Sequence, residues 1–227
     1  MATVFGNISV ETPKFTVVQS LGSSNAVEVR KYGPQVRAEV LYDVSPNHSV
    51  MDGTGTPFRA LAGYIFGGNT ARTRGGSEKV DMTAPVVVQT TPPGGASSEK
   101  IAMTAPVVMQ AGTGAGAAAD GNSDGGNKHV MNFIMPSKYK SIADLPVPKD
   151  SRVRLFEVPE RTFAVIRFNG RMNAALAKTK EQELRTAAAE EGVKLSDNPH
   201  AVQYCSYNPP WCLPWLATND IMIPVIE

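Results

Sequence analysis

Residues 27–41 read VEVRKYGPQVRAEVL. Val27, Val29 and then Val36, Ala38 and Val40 alternate with charged or polar residues, and Gly33-Pro34 stands between the two runs. A period of two marks a half-buried strand, and Gly-Pro marks a turn, so this stretch predicts a β-hairpin. Downstream, residues 58–66 (FRALAGYIF) change period. Phe58, Leu61, Ala62, Ile65 and Phe66 fall at i, i+3, i+4, i+7 and i+8, which predicts an amphipathic helix opened by Pro57 and stopped by Gly67-Gly68. Residues 45–57, with His48, read as a polar loop.

An internal near-repeat follows: KVDMTAPVVVQ at 79–89 and KIAMTAPVVMQ at 100–110. Both copies are rich in β-branched residues and read as strands. Pro85 and Pro106 cannot donate to a ladder, so each belongs at an edge, a bulge or a strand start. Residues 111–127 are almost all Ala, Gly, Asp, Asn and Ser. That composition buries too little apolar surface to offset ordering, so a mobile loop is expected. Residues 130–135 predict another strand, 152–157 and 162–168 a second hairpin, 171–191 a long helix ending at Gly192, and 202–207 and 220–225 two last strands. The double-proline segment NPPWCLPW at 208–215 is a stiff aromatic loop.

Each half thus reads hairpin, helix, two strands, and Met82…Pro85-Val86 is echoed by Met222-Ile223-Pro224-Val225. The expected fold is α+β: a pseudo-twofold, distorted antiparallel β-barrel with two outer α-helices. One fused domain over 15–227 is expected, with halves at about 15–135 and 150–227, after an N-terminal extension at 1–14. The 227 residues are 42% apolar and 19% charged, as in a globular protein. Twenty-two Lys and Arg against 21 Asp and Glu leave a net charge of +1, without the basic excess of a nucleic-acid binder. No membrane span, secretory signal or clear transit peptide is read, so a cytoplasmic protein is expected. Cys205 and Cys212, spaced C-x6-C, fit two free thiols rather than zinc ligands, and His48, His129 and His200 read as solvated surface residues. No nucleophile–base pattern appears, so no enzyme is expected.

The order VEVRKYGP, GYIFGGN, the two MTAPV copies, FIMPSKYKSIADLPVPKD (133–150) and YNPPWCLPWLATNDIMIPV (207–225) resembles the SOUL family of haem-binding proteins. The doubled MTAPV is more similar to plant and algal members. The resemblance covers the chain from about residue 15 to its end and implies a pseudo-twofold distorted barrel that binds haem or another tetrapyrrole. In some members an axial His lies in a YEIRHYGP-like block; Lys31 stands at that position here. In others the macrocycle lies in an apolar groove between the first helix and the loop joining the last two strands. Carried over, that groove has Phe58, Arg59, Ala62, Ile65 and Phe66 on one wall and Trp211, Leu213 and Trp215 on the other. Arg59 is the only basic residue of the helix, and Tyr64 replaces a late Lys. A weakly ligated, low-affinity haem or related tetrapyrrole is therefore expected, with Met82, Met103 and Cys212 as remote ligand candidates and no assigned metal ligand. The alternative expectation is a protein-interaction module within a larger assembly, haem binding being incidental.

Overall fold

Alternation in 27–41 builds two strands, but not a hairpin. In the computed structural model, described for residues 5–22, 27–44, 53–73, 75–91, 127–209 and 211–226, these strands part company. In chain order the elements are β1 (Phe15–Leu21), β2 (Val27–Tyr32), β3 (Gln35–Val44), α1 (Gly55–Ile65), β4 (Asn69–Thr70), β5 (Val86–Thr90) and β6 (Asn127–Ile134). They continue with β7 (Val147–Pro148), β8 (Val153–Val158), β9 (Arg161–Asn169), α2 (Ala174–Glu190), β10 (Gln203–Ser206) and β11 (Thr218–Pro224). β2 pairs with β1 and β9, whereas β3 pairs with β6 and β8. Both expected hairpins are therefore corrected. Gly33-Pro34 links β2 to β3 without closing a ladder, and so does Pro159-Glu160 between β8 and β9. The first half lends β2 to the second, and the second lends β8 to the first.

Nine strands form one antiparallel sheet in the order β1-β2-β9-β11-β10-β5-β6-β3-β8, and β4-β7 form a second small one. Exchanging β2 with β8, β3 with β9, β5 with β10 and β6 with β11 turns the order from β2 to β8 into its own reverse. The sheet is thus pseudo-twofold, with the Tyr204–Val88 pair at its centre. β11 corresponds to β6, so the echo of Met82…Pro85 in Met222…Pro224 does not join equivalent places; Pro85 stands directly before β5, at a strand start. The expected barrel is also corrected. Among the described residues β1 and β8 are free edges and no ladder closes the sheet. β1 carries a register shift between Val17 and Gln19, and its first six residues are exposed, so it offers no buried face to a closing strand. The second MTAPV copy and residues 111–126 lie outside the described residues, as do His48 and Met103.

Directly paired residues share a face. One row runs Val153–Val40–Met131–Val88–Tyr204–Ile221–Ile166–Val27 across the sheet. Both helices lie on that face: α1 packs Leu61, Tyr64 and Ile65 on β3 and β6, and α2 packs Ala177, Leu184 and Ala188 on β9 and β11. Asn173 caps α2 by accepting the Leu176 N–H at 2.9 Å. The opposite face carries Tyr32, Phe163, Val165, Cys205, Tyr207 and Met222. It is crossed by a strap at residues 5–14. Ile8 packs against that cluster, Glu11 bridges Thr83, the Ala84 N–H donates to Glu11 O at 2.9 Å, and the Ser137 N–H donates to Glu11 Oε1 at 2.9 Å. Among the described residues no helix is long and apolar enough to cross a membrane.

Candidate functional site

The face of α1 divides the first predicted wall. Leu61 and Ile65 are sealed in the core, because a stripe at period 3.6 docks first on the sheet. Ile65 is therefore corrected from groove lining to core. Phe58 is half-buried, edge-on to Phe133 with ring centroids 5.4 Å apart. Ala62 is half-buried, Arg59 is exposed with Nη2 3.5 Å from Thr56 Oγ1, and Phe66 is 61% exposed. Tyr64, in place of a cation, is a core residue whose hydroxyl donates to Pro146 O at 3.0 Å. Burial pushes that hydroxyl well above the ordinary tyrosine range.

The second wall is a pinned loop between β10 and β11. Asn208 Oδ1 accepts the Thr218 N–H at 2.8 Å and Asn208 Nδ2 donates to Gly6 O at 3.0 Å. The Cys212 N–H donates to Pro209 O at 3.0 Å, and the Leu216 N–H to Leu213 O at 2.9 Å. Gly6 is required at this crossing, since its φ is +79° and an added Cβ would sit 2.8 Å from Leu216 O. Cys212 turns inward, Leu213 is half-buried, and Trp211 and Trp215 are 66% and 67% exposed. The structure thus brings Trp211, Leu213 and Trp215 together on one loop, and Phe58, Arg59, Ala62 and Phe66 on the outward part of one helix.

The ligand candidates fare differently. Lys31 forms an ion pair with Glu160 at 2.6 Å. Met82 packs against the core under α1, and both cysteines are free and buried. His129 is corrected: it lies on β6, 3% exposed, edge-on to Tyr42 with centroids 5.8 Å apart, and its Nδ1 has no hydrogen-bond partner. His200 is half-buried, with Nδ1 2.9 Å from Thr90 Oγ1. Burial, and secondarily the neighbouring His200, holds His129 below its ordinary 6.5. The folded chain therefore binds this proton less readily than the unfolded one. Stability from the neutral ring is full above 6.5 and is lost as pH falls through the lowered folded value. Urea midpoints measured above and below pH 6.5 are expected to drop on acidification, with a shallower drop for His129→Phe.

Sequence reading missed a polar cluster on the strap side. Asp220, fully buried, accepts Arg30 Nη1 at 3.0 Å, Arg167 Nε and Nη2 at 2.8 Å each, and the Tyr207 hydroxyl at 2.7 Å. Burial raises the Cys205 thiol beside it, leaving that thiol unreactive. Arg30 and Arg37 sit at the polar positions of alternating strands, which read as water-facing. No local signal marks that face as internal.

Two repeats of strand, strand, helix, strand and strand, joined in one antiparallel sheet with both helices on the same face, define the fold as α+β. Among solved structures the fold is similar to an uncharacterized conserved protein from Listeria innocua (TM-score 0.55, 12% identity, 88% of this chain and 92% of that one). It is also similar to a hydrolase from Listeria innocua (0.52, 11%, 88% and 91%) and to the C-terminal domain of EcmrR (0.50, 8%, 88% and 97%). No curated protein matches the chain by sequence. The SOUL heme-binding protein family matches residues 10–97 and 93–224. The chain belongs to the SOUL heme-binding protein family.

Proposed function

We propose that the chain binds haem or a related tetrapyrrole reversibly and non-covalently, as a carrier, buffer or sensor and not as an enzyme. The macrocycle lies against Trp211, Leu213 and Trp215 and the outward residues Phe58, Ala62 and Phe66, with Arg59 available to a propionate. The observation that carries this reading is the pair of indoles, two-thirds exposed on a loop held at both ends. Large aromatic surface on a rigid frame binds a flat apolar ligand with little ordering cost. Haem, when bound, supplies iron and strong visible absorption. Axial ligation is weak in this reading. Among the described residues no His, Met, Cys or Tyr is exposed, and Lys31 is engaged by Glu160.

Titration of hemin into the purified chain is expected to give a saturable Soret shift at equimolar ligand. Trp211→Ala with Trp215→Ala should weaken it at least about tenfold, as for buried aromatic anchors. A shift that survives both changes refutes the site. A second reading takes the same indoles, with Phe5 (63% exposed) on the adjoining strap, as a docking face for another protein. A stable complex isolated from native extract without a Soret band favours that reading.

A further inference from the structure

The strap side of the sheet holds a groove of about 280 Å3 whose lining includes no residue of the indole loop or of α1. Its lining includes Pro13 and Lys14 of the strap, Gln35, the apolar Ile134 and Met135, and Lys140. Lys14 and Lys140 both act on Glu11, whose carboxyl they help Ser137 to hold below its ordinary range, so two cations and one anion share the mouth. Directly behind Gln35 stands Arg37, 5% exposed. Its guanidinium is held by amide oxygens: Gln35 Oε1 accepts Nε at 3.0 Å and Nη2 at 2.8 Å, and Gln203 Oε1 accepts Nη1 at 3.4 Å. Among the described residues Arg37 forms no ion pair, because Glu39 on the same face is taken by Arg154 at 2.8 Å. Burial pushes Arg37 down to about 10, Arg161 adds a further positive charge to its surroundings, and Glu39 offsets this only in part. A buried cation with only neutral partners is costly, and a nearby anion relieves that cost.

We propose that this groove binds a small organic anion, a carboxylate or sulfonate on an apolar body. The head group lies between Lys14 and Lys140 and reaches Arg37 as Gln35 swings aside, while the body rests on Pro13, Ile134 and Met135. The site is independent of the tetrapyrrole surface. Anilinonaphthalene sulfonate, an amphipathic fluorescent anion, is the probe for the full chain. Gly33 lines the groove, has an ordinary φ, and a Cβ added there meets nothing within 4 Å, so Gly33→Trp fills the mouth without changing charge. Saturable binding of one probe per chain is expected. It should be weakened at least about tenfold by Gly33→Trp and again by Lys14→Glu with Lys140→Glu, whose side chains are exposed. The Trp211→Ala, Trp215→Ala chain should bind the probe unchanged, and Gly33→Trp should leave hemin binding intact. Absence of saturable binding, native affinity in both groove variants, or loss of the probe with the indoles overturns the proposal.

Discussion

Asp220→Ala is expected to lower the unfolding free energy by about 3–5 kcal/mol, the range found when one partner of a buried charge cluster is removed. The carboxylate is fully buried and takes four hydrogen bonds, from Arg30, Arg167 and Tyr207. Without it Arg30, itself 3% exposed, keeps Glu28 at 2.7 Å as its only ion-pair partner among the described residues, and the Tyr207 hydroxyl is left without its acceptor. The position also joins the halves: Arg30 comes from β2 of the first and Arg167 and Asp220 from β9 and β11 of the second. With total stabilities of roughly 5–15 kcal/mol typical, such a chain would be close to unfolding. Asp220→Asn preserves the shape and one carbonyl acceptor, so it should lose less. Urea unfolding monitored by tryptophan fluorescence measures both. A native midpoint for Asp220→Ala would mean that the cluster does not bear on the fold.

Two adjacent residues of the first helix region are expected to behave in opposite ways. Ile65 is 1% exposed and packs in the core under α1. Ile65→Ala should cost about 2–5 kcal/mol and leave hemin affinity unchanged in the folded fraction. Phe66, 61% exposed, touches solvent instead. Phe66→Ala should change stability by no more than about 0.5 kcal/mol and weaken hemin binding severalfold. Unfolding curves and hemin titrations on the same two preparations decide the matter. If Ile65→Ala alone impairs hemin binding while stability holds, the assignment of inner and outer faces is reversed.

Much of the element inventory was legible because its signals are local. Val27, Val29, Val36, Ala38 and Val40 alternate whatever lies beside them, and all five are buried in the structure. Leu61 and Ile65 recur at helical spacing and both face inward. The duplicated plan was legible too, since each half repeats the same series of periods. The partners of the strands were not. An alternating strand fixes which side chains share a face, yet says nothing of which neighbour takes its backbone hydrogen bonds. VEVRKYGPQVRAEVL fits a hairpin and a swapped pair equally well, and the swap is what the chain adopts.

The site followed the same division. Trp211 and Trp215 stood out from composition alone, because three prolines and two indoles in one short loop are poor core material, and both are exposed. His129 misled, since NKHV after a glycine-rich stretch reads as loop, while pairing with Tyr42 and Thr90 draws it into β6 and away from water.

Residue order alone determined β2, β3, β5, β6 and β8 to β11 (but not β1, β4 or β7), both helices, the helix stripe that meets the sheet and the aromatic character of the last loop. Only tertiary structure decided that β2 and β8 change halves, that the sheet stays open, and that Arg30, Arg37 and Asp220 lie inside. The reason is physical. Periodicity records the two sides of each element, but whether a polar side meets water or another layer depends on contacts between residues far apart in the chain.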